Sequence, residues 1–489
     1  MKKIRVRFAP SPTGFLHIGS LRTILFNYLI AKKDQGQLIL RIEDTDQKRE
    51  VSGAVEGLID IINWLGIKFD EGPHVGGDYG PYIQSQRLDI YKKYASQLLD
   101  AGKAYCCFCS PERLEQMLAD QQAKKLPPRY DRTCRGLSDE EIQAKISQGE
   151  KFVIRQKMPE SGETKVFDEL RGEIVFNNQD LDDQVLVKSN GVPTYQLANV
   201  VDDYLMEISH VLRGEEWLSS FPKNALLYQA FGWEMPKFIH MPLSLNKDGS
   251  KLSKRQGDVA VEDYRATGYL PEALINFSIL QGWHPQGDNE IFTLTAAVKE
   301  FNLKDMGISP AIFNIEKLDY FNGYYIRQKP IDNLVALCKP FLKELLEKAS
   351  DKKKTEDEYI KKVVSLEQER LKKLSEISGL TRFFFVDSIK YEPDLLIWKN
   401  LSKNEIKNNL VELIDQLNNI KAGEWTRDNL EKILLDYINS KQGKAGDYLW
   451  PMRVSLTGDK ASPSPFEVAE VLGREESLAR IKAGIEKLS

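Results

Sequence analysis

Two short segments of the chain carry residue types and spacings suited to phosphate chemistry. His17-Ile-Gly-Ser20 follows a Pro/Gly-rich turn at the start of a helical pattern, and Lys251-Leu-Ser-Lys-Arg255 follows a loop of small polar residues. Helix N-termini attract anions through free backbone N–H groups and the helix dipole, and His17 and Ser20 could donate to phosphate oxygens. Loop lysines can close over phosphates and stabilise charge that grows in a transition state. Taken singly, a helix cap and a solvated basic loop explain them more simply.

The surrounding pattern predicts the framework that would position these segments. Residues 4–8 form a β-branched run, 17–33 have apolar residues at helical spacing, and 38–42 form a second short apolar run. Strands that alternate with helices predict a parallel sheet, whose ligands bind at the carboxyl ends of the strands. We therefore expect residues 7–20 and 43–46 to lie together at one edge of a sheet.

The rest of the chain separates into three parts. Residues 103–190 contain a cysteine cluster and short strands, and they interrupt the α/β pattern as an insertion would. The alternation resumes at 195, with a strand near 208–212, a helix from Glu215 and a strand over 238–245. Beyond about 325 the pattern is almost entirely helical, so we predict an all-α C-terminal region.

Four longer motifs resemble the glutamyl-tRNA synthetase family and occur in that family's order, so the resemblance covers essentially the whole chain. They are Arg7-Phe-Ala-Pro-Ser-Pro-Thr-Gly14, Arg41-Ile-Glu-Asp-Thr-Asp46, Tyr195-Gln-Leu-Ala-Asn-Val-Val-Asp-Asp203 and Leu212-Arg-Gly-Glu-Glu-Trp217. The two short segments are similar to the HIGH and KMSKS signatures of class I aminoacyl-tRNA synthetases. They depart from them at the fourth residue of the first and at two positions of the second.

The resemblance implies two sets of binding residues and a reaction. The residues implied to surround L-glutamate are Arg7, Ala9, Ser11, Glu43, Tyr195, Asn199 and Arg213. The residues implied to contact ATP are His17, Gly19, Ser20, Glu216, Trp217, Leu243, Lys251 and Lys254. Glutamate would first form an adenylate, with Mg²⁺ sharing the phosphate charge, and then pass to the 3′-terminal adenosine of tRNA-Glu. His17, Ser20 and Lys254 are the expected catalytic residues.

The resemblance also implies a division of the chain into an α/β, Rossmann-type catalytic domain with an α+β insertion and an all-α anticodon-binding region. The expected segments are 1–102 and 191–250 for the two catalytic halves, 103–190 for an acceptor-binding insertion, 251–325 for a stem-contact region, and 326–489 for the helical region with an internal boundary near 380. Arg370 matches a family position associated with reading the anticodon; a surface arginine is the simpler interpretation.

The cysteines indicate a metal site in a reducing compartment. The chain has five cysteines, and four of them lie between 106 and 134. An odd total with most members in one cluster fits zinc better than disulfides. Cys107, Cys109 and Cys134 supply three thiolates. Some bacterial relatives are similar here and place a tyrosine four residues before the third cysteine, which is Tyr130. Cys106 remains the alternative fourth ligand, and three free thiols remain the alternative to a metal.

Composition sets the remaining expectations. The net charge of −4 argues mildly against nucleic acid, although 68 basic residues are available. We expect a cytoplasmic protein, since the N-terminus has no apolar signal region and the chain has no membrane-length apolar run. We also expect a monomer. Two alternatives fit the sequence less well. Glutaminyl-tRNA synthetases share the catalytic core but have a β-barrel anticodon region, whereas the residues after 325 are predicted to be helical. A small nucleotidyltransferase that does not act on tRNA would have no use for the helical C-terminal part. Whether tRNA-Gln is charged as well stays open.

Overall fold

The structure is a computed structural model that describes residues 3–46, 51–250, 252 and 260–488. Lys251 and Lys254 lie outside the described residues. The chain divides into two compact units: Met1–Arg265 with Pro271–Ile315, and Ala266–Leu270 with Glu316–Ser489.

The first unit mixes strands and helices. Its strands are β1 Arg5–Phe8, β2 Gln37–Leu40, β3 Ala104–Cys107, β4 Val153–Gln156, β5 Glu163–Asp168, β6 Gly172–Asn177, β7 Val185–Val187, β8 His210–Gly214, β9 Lys237–Met241, β10 Ser244–Leu245 and β11 Ala311–Ile312. Its helices are α1 Ile18–Lys33, α2 Ala54–Trp64, α3 Leu88–Asp100, α4 Pro111–Ala123, α5 Asp139–Ser147, α6 Tyr195–Leu205, α7 Phe221–Phe231, α8 Val261–Ala266, α9 Pro271–Leu280 and α10 Leu294–Glu300. Short 3₁₀ helices cover Gln84–Arg87, Thr133–Gly136, Asn178–Asp180, Glu215–Ser220 and Leu303–Asp305.

The second unit is helical throughout its described residues. Its helices are α11 Ile315–Arg327, α12 Ile331–Lys348, α13 Asp357–Glu367, α14 Ile377–Phe385, α15 Lys403–Asn418, α16 Arg427–Ser440, α17 Ala445–Thr457, α18 Pro465–Leu472 and α19 Arg474–Glu486, with 3₁₀ turns at Lys352–Thr355, Leu374–Glu376, Pro393–Leu396 and Ala422–Glu424. The chain therefore has the predicted class, an α/β part followed by an all-α part.

Parallel strands form the centre of the first unit. β1 pairs with β2 and β8 pairs with β9, both in parallel. The Ser209 N–H donates to the Arg5 carbonyl at 2.9 Å, which places the start of β8 beside β1. β5 joins this framework through a parallel contact of Asp168 with Phe238 and carries β6 as an antiparallel partner. The carboxyl ends of β1, β2, β8 and β9 consequently face the same side, as the parallel pattern predicts.

Helix α1 is buried on nearly all sides because it packs between the strands and later helices. Leu21, Ile24, Leu25 and Leu29 have no exposed surface. Its N-cap is His17, whose Nδ1 accepts the Gly19 N–H at 3.0 Å. Such a cap fixes where the chain leaves the turn and the helix begins. The first turn of α1 therefore stands at the carboxyl edge of the sheet.

Several elements differ from the sequence-based expectation. The predicted strand over 238–245 is two strands separated by Pro242, which has no N–H for a sheet ladder. The helix expected from Glu215 starts as a 3₁₀ helix and becomes α-helical only at Phe221. Helices α4 and α5 were not predicted because neither has a buried residue, so neither shows apolar periodicity. Their serine caps, Ser110 and Ser138, were the available signal.

Candidate active site

A cleft of about 630 Å³ opens at the carboxyl ends of β1, β2 and β8. The predicted site residues that line it are Arg7, Ala9, Ser11, His17, Ser20, Glu43, Tyr195, Arg213, Glu216 and Trp217. A cavity of about 310 Å³ adjoins it and is lined by His17, Gly19, Ser20, Glu216 and Leu243 among others. Most of the predicted site residues therefore line two neighbouring cavities that share His17, Ser20 and Glu216. Trp217 lines the larger cavity, Asn199 lines neither, and Lys251 and Lys254 lie outside the described residues.

A buried network of charges forms the floor of the larger cleft. Asp203 on α6 accepts from Arg7 Nε at 3.1 Å and from Arg41 Nη1 at 2.7 Å, through the same oxygen. Arg41 Nη2 also donates to Glu43 Oε1 at 2.9 Å. These side chains are at most 5% exposed. Charges so far from water persist only when they are paired, so Asp203 is required to hold both arginines in place.

The pKa directions agree with this arrangement. Burial raises the pKa of the Asp203 carboxyl, but Arg7 and Arg41 outweigh it and leave that pKa below its ordinary value. Burial also raises the pKa of Glu43, and there the opposing effect of Arg41 and Arg7 is insufficient, so the pKa stays above its ordinary value. A cation placed beside Glu43 would therefore stabilise its buried carboxylate.

Asp202 and Asp203 were quoted in the sequence motif but not assigned a role. Asp203 lies two helical turns after Tyr195, and Asn199 lies between them, so all three share one face of α6. Asn199 Nδ2 donates to Tyr195 Oη at 3.3 Å and to Glu43 Oε1 at 3.5 Å. The spacing of four residues was the signal that could have placed Asp203 in the site.

Arg213 reaches the same cleft from β8. Its Nη2 donates to Asn224 Oδ1 at 3.1 Å, and its Nη1 is buried without a hydrogen-bond partner among the residues that the structure describes. Burial lowers the pKa of Arg213 from its ordinary value, with Tyr195 acting in the opposite direction. Tyr195 lies against Trp217, with ring centroids 4.7 Å apart. An unpaired guanidinium nitrogen in an aromatic-walled cleft is suited to receive a carboxylate.

Arg22, which the sequence did not single out, supports the smaller cavity. Its Nη1 donates to Ser244 Oγ at 2.8 Å and its Nη2 to the Pro242 carbonyl at 2.7 Å. Burial lowers its pKa to about 10, against the opposing effect of the Glu215 and Glu216 carboxylates. Arg22 therefore ties α1 to the segment that leads into the predicted lysine loop.

The cysteine cluster comes together at a separate place in the first unit. Cys107, Cys109 and Cys134 have sulfur atoms within 4.8 Å of one another. Tyr130 Oη lies 3.2 Å from Cys107 Sγ and 3.4 Å from Cys109 Sγ. A tetrahedral ion with bonds of about 2.3 Å needs ligands about 3.8 Å apart, close to these separations. Cys106 is not part of this cluster.

Arg370 makes its contacts within the second unit. Its Nη1 donates to both carboxylate oxygens of Glu367, at 3.0 and 2.7 Å, and its Nη2 donates to the Ala461 carbonyl at 3.3 Å. Burial raises the pKa of Glu367 to about 7, against the opposing effect of Arg370. About a third of the Arg370 side chain is exposed, so a buried ion pair orients a partly accessible guanidinium.

Comparison with known proteins shows the family to which the chain belongs. The family model for "tRNA synthetases class I (E and Q), catalytic domain" matches residues 3–320, and the model for "Anticodon binding domain" matches residues 333–485. A glutamate–tRNA ligase of Clostridium botulinum is 45% identical over 99% of both chains. That of Clostridium kluyveri is 46% identical over 100% of this chain and 99% of its own.

Solved structures give the same result. The crystal structure of a glutamate tRNA ligase from Elizabethkingia meningosepticum in complex with its amino acid has a TM-score of 0.90 and 35% identity, with all of both chains covered. The fold and the site therefore define a class I aminoacyl-tRNA synthetase. Within that class, the chain belongs to the glutamate–tRNA ligase family, as the resemblance implied. None of the helices in the described part of the chain is long and apolar enough to cross a membrane.

Asp203→Asn tests the charge network. The change leaves Arg7 and Arg41 buried with less negative charge between them, and breaking such a pair costs about 3–5 kcal/mol. We expect a lower unfolding temperature and urea midpoint. Glu207→Gln, an exposed change just after α6, is the matched control. Equal unfolding curves for the two variants would contradict the role given to Asp203.

Proposed function

We propose that the chain uses ATP to activate L-glutamate and then ligates it to tRNA-Glu. The observation that carries the proposal is the adjacency of the two cavities: paired arginines and a carboxylate line one, and the start of α1 lines the other. A free amino acid with two carboxylates and one ammonium fits the first. A nucleotide triphosphate fits the second, because the helix start and its backbone N–H groups attract phosphate.

The glutamate set divides its work by charge. Arg7 and Arg213 each offer a guanidinium fork that can bind a carboxylate through two hydrogen bonds. Glu43 supplies the negative charge for the ammonium group, and Tyr195 and Asn199 stand beside it. Ala9 and Ser11 belong to the turn that closes the cleft after β1. This division explains why glutamate, rather than a neutral amino acid, is the proposed substrate.

The ATP set acts by orientation and charge stabilisation. His17, Gly19 and Ser20 present the helix start to the phosphates, and Glu216, Trp217 and Leu243 flank the adjoining space. Lys251 and Lys254 are proposed to close over the triphosphate, and Mg²⁺ would share its charge. The glutamate carboxylate attacks the α-phosphorus, and pyrophosphate leaves. The 2′-OH of the terminal adenosine then attacks the acyl carbon and AMP leaves, so no side-chain nucleophile is needed.

The functional assay is glutamate-dependent ATP–pyrophosphate exchange, measured with and without tRNA-Glu and repeated with glutamine. We expect exchange with glutamate in the presence of tRNA and little with glutamine, because the amide lacks the second carboxylate. Absence of exchange with glutamate, even with tRNA present, would overturn the proposal. Charging purified tRNA-Glu and tRNA-Gln separately then tests the partner. Arg370, proposed to contact the anticodon, favours tRNA-Glu alone.

Glu43→Gln should raise the KM for glutamate by about 30-fold to 4000-fold, because truncating one partner of a buried charge pair costs about 2–5 kcal/mol. In the unaltered enzyme the KM should also rise as the pH falls. The ammonium needs ionised Glu43, whose pKa is raised, so affinity is full above that pKa and is lost on protonation. This loss should begin above the ordinary range near 4.3. The KM for ATP serves as the control, and a glutamate KM independent of pH would contradict the assignment.

A structural zinc ion is proposed at Cys107, Cys109, Cys134 and Tyr130, on the strength of their tetrahedral spacing and soft thiolate chemistry. The ion would cross-link the insertion around 103–190, which is proposed to contact the tRNA acceptor. Residues 251–325 are the proposed stem-contact region, and 326–489 the anticodon-binding region. Reduced cysteines fit a cytoplasmic enzyme, and the enzyme is proposed to be a monomer.

Purified protein should therefore contain about one zinc ion per chain, measured by atomic emission. Cys107→Ala should lose the metal, whereas Cys106→Ala should keep it. The two residues are adjacent and both buried, so they form a matched pair. Tyr130→Phe should weaken retention against a chelator if the hydroxyl is a ligand. Equal zinc content in the two cysteine variants would refute the site.

A further inference from the structure

Arg213 is held by a histidine rather than by a carboxylate. Its Nε donates to His240 Nε2 at 3.0 Å, across the parallel pair β8–β9 in which the two residues are partners. Arg213 is 5% exposed and His240 is fully buried. The histidine therefore holds the guanidinium at Nε, Asn224 Oδ1 accepts from Nη2, and Nη1 is left without a partner among the described residues.

Asp168 in turn fixes the histidine. Its Oδ2 accepts from His240 Nδ1 at 2.8 Å and from the His240 backbone N–H at 2.9 Å. Its Oδ1 accepts the backbone N–H groups of Leu170 and Arg171, both at 3.0 Å. All four bonds hold the carboxylate in one orientation, and Asp168 has no exposed surface. The imidazole ring is thus anchored at the end of β5.

The geometry selects one protonation state of His240. Nε2 must accept from Arg213, so the ring is neutral and carries its proton on Nδ1, which donates to Asp168. Burial lowers the pKa of His240 below its ordinary value, with Asp168 opposing, which favours the neutral form. A proton on Nε2 would set two N–H donors against each other. The imidazole ring of His240 therefore lies between the negative charge of Asp168 and the guanidinium of Arg213.

We propose that His240 and Asp168 are positioning residues for substrate recognition, holding Arg213 by its Nε so that Nη1 faces a glutamate carboxylate. The inference rests on the proposed function. A neutral acceptor orients the guanidinium through one nitrogen and leaves the charge available.

Two variants of His240 isolate the acceptor. His240→Leu has a similar size but cannot accept a hydrogen bond, whereas His240→Gln retains an acceptor oxygen. Asp168→Asn supplies a third case, because an amide N–H facing Nδ1 moves the proton to Nε2 and sets it against Arg213. His210→Leu, at the opposite end of β8, is the matched control. KM values for glutamate and ATP are measured by pyrophosphate exchange with tRNA-Glu, and folding by circular dichroism.

We expect His240→Leu and Asp168→Asn to raise the glutamate KM about tenfold to a hundredfold, with the ATP KM unchanged and His240→Gln near the unaltered enzyme. An unchanged glutamate KM in His240→Leu, or an equal rise in both KM values, would overturn the inference alone. So would loss of folded protein in all three site variants, since the pair would then serve the fold. No exchange by the unaltered chain would overturn the proposed function, and this inference with it.

Discussion

The geometry of the cleft depends on the two ion pairs of the buried Asp203 carboxylate. One of its oxygens is shared by Arg7 from β1 and Arg41 from the segment after β2, so a single carboxylate aligns two neighbouring strands. Asp202 beside it binds Arg87, Gln84 and Tyr91 and thereby attaches the start of α3. Each pair is buried, and neither partner could remain charged without the other. The sheet edge and the site are therefore stabilised by the same contacts.

The two substrate-facing arginines illustrate one device with two different anchors. Arg7 and Arg213 are each held through Nε, the former by Asp203 and the latter by neutral His240. Anchoring at Nε leaves both Nη atoms of Arg7 for a ligand, whereas in Arg213 it leaves Nη1, because Nη2 already donates to Asn224 Oδ1. Among the described residues the side chain of Arg7 makes no other hydrogen bond, and Arg213 Nη1 makes none. The protein therefore orients both arginines through Nε, and at least one Nη atom of each remains available to a substrate.

Local patterns predicted what local forces determine. The alternation of strand and helix was enough for the parallel sheet, and the motifs contain most of the residues that line the cleft. Thr23, Leu58 and Lys188 also line it and lie outside every motif. Arg22, Asp168 and His240 escaped because their roles depend on contacts between residues far apart in sequence. Asp168 lies in a stretch interpreted as an insertion, yet its strand β5 pairs with β9 beside the cleft. Sequence periodicity carries no information about which distant strands pair. The four-residue spacing of Asn199 and Asp203, in contrast, indicates that the two residues share one face of α6.

The proposed zinc site lies where the segment 103–190 has little apolar core. Helices α4 and α5 have no fully buried side chain, although Leu114 and Met117 of α4 pack partly buried against the nearby apolar cluster. The fully buried members of that cluster are Tyr105, Cys107, Tyr130 and Cys134. A core of this size supplies little of the stabilisation that offsets chain entropy. Two of its four members are thiols, and a third is the tyrosine whose hydroxyl lies between them. An ion bound there would supply folding free energy that apolar burial cannot, since metal binding in such sites is coupled to folding. Its effect on the reaction would then act through the order of the insertion, without contact with the reacting atoms.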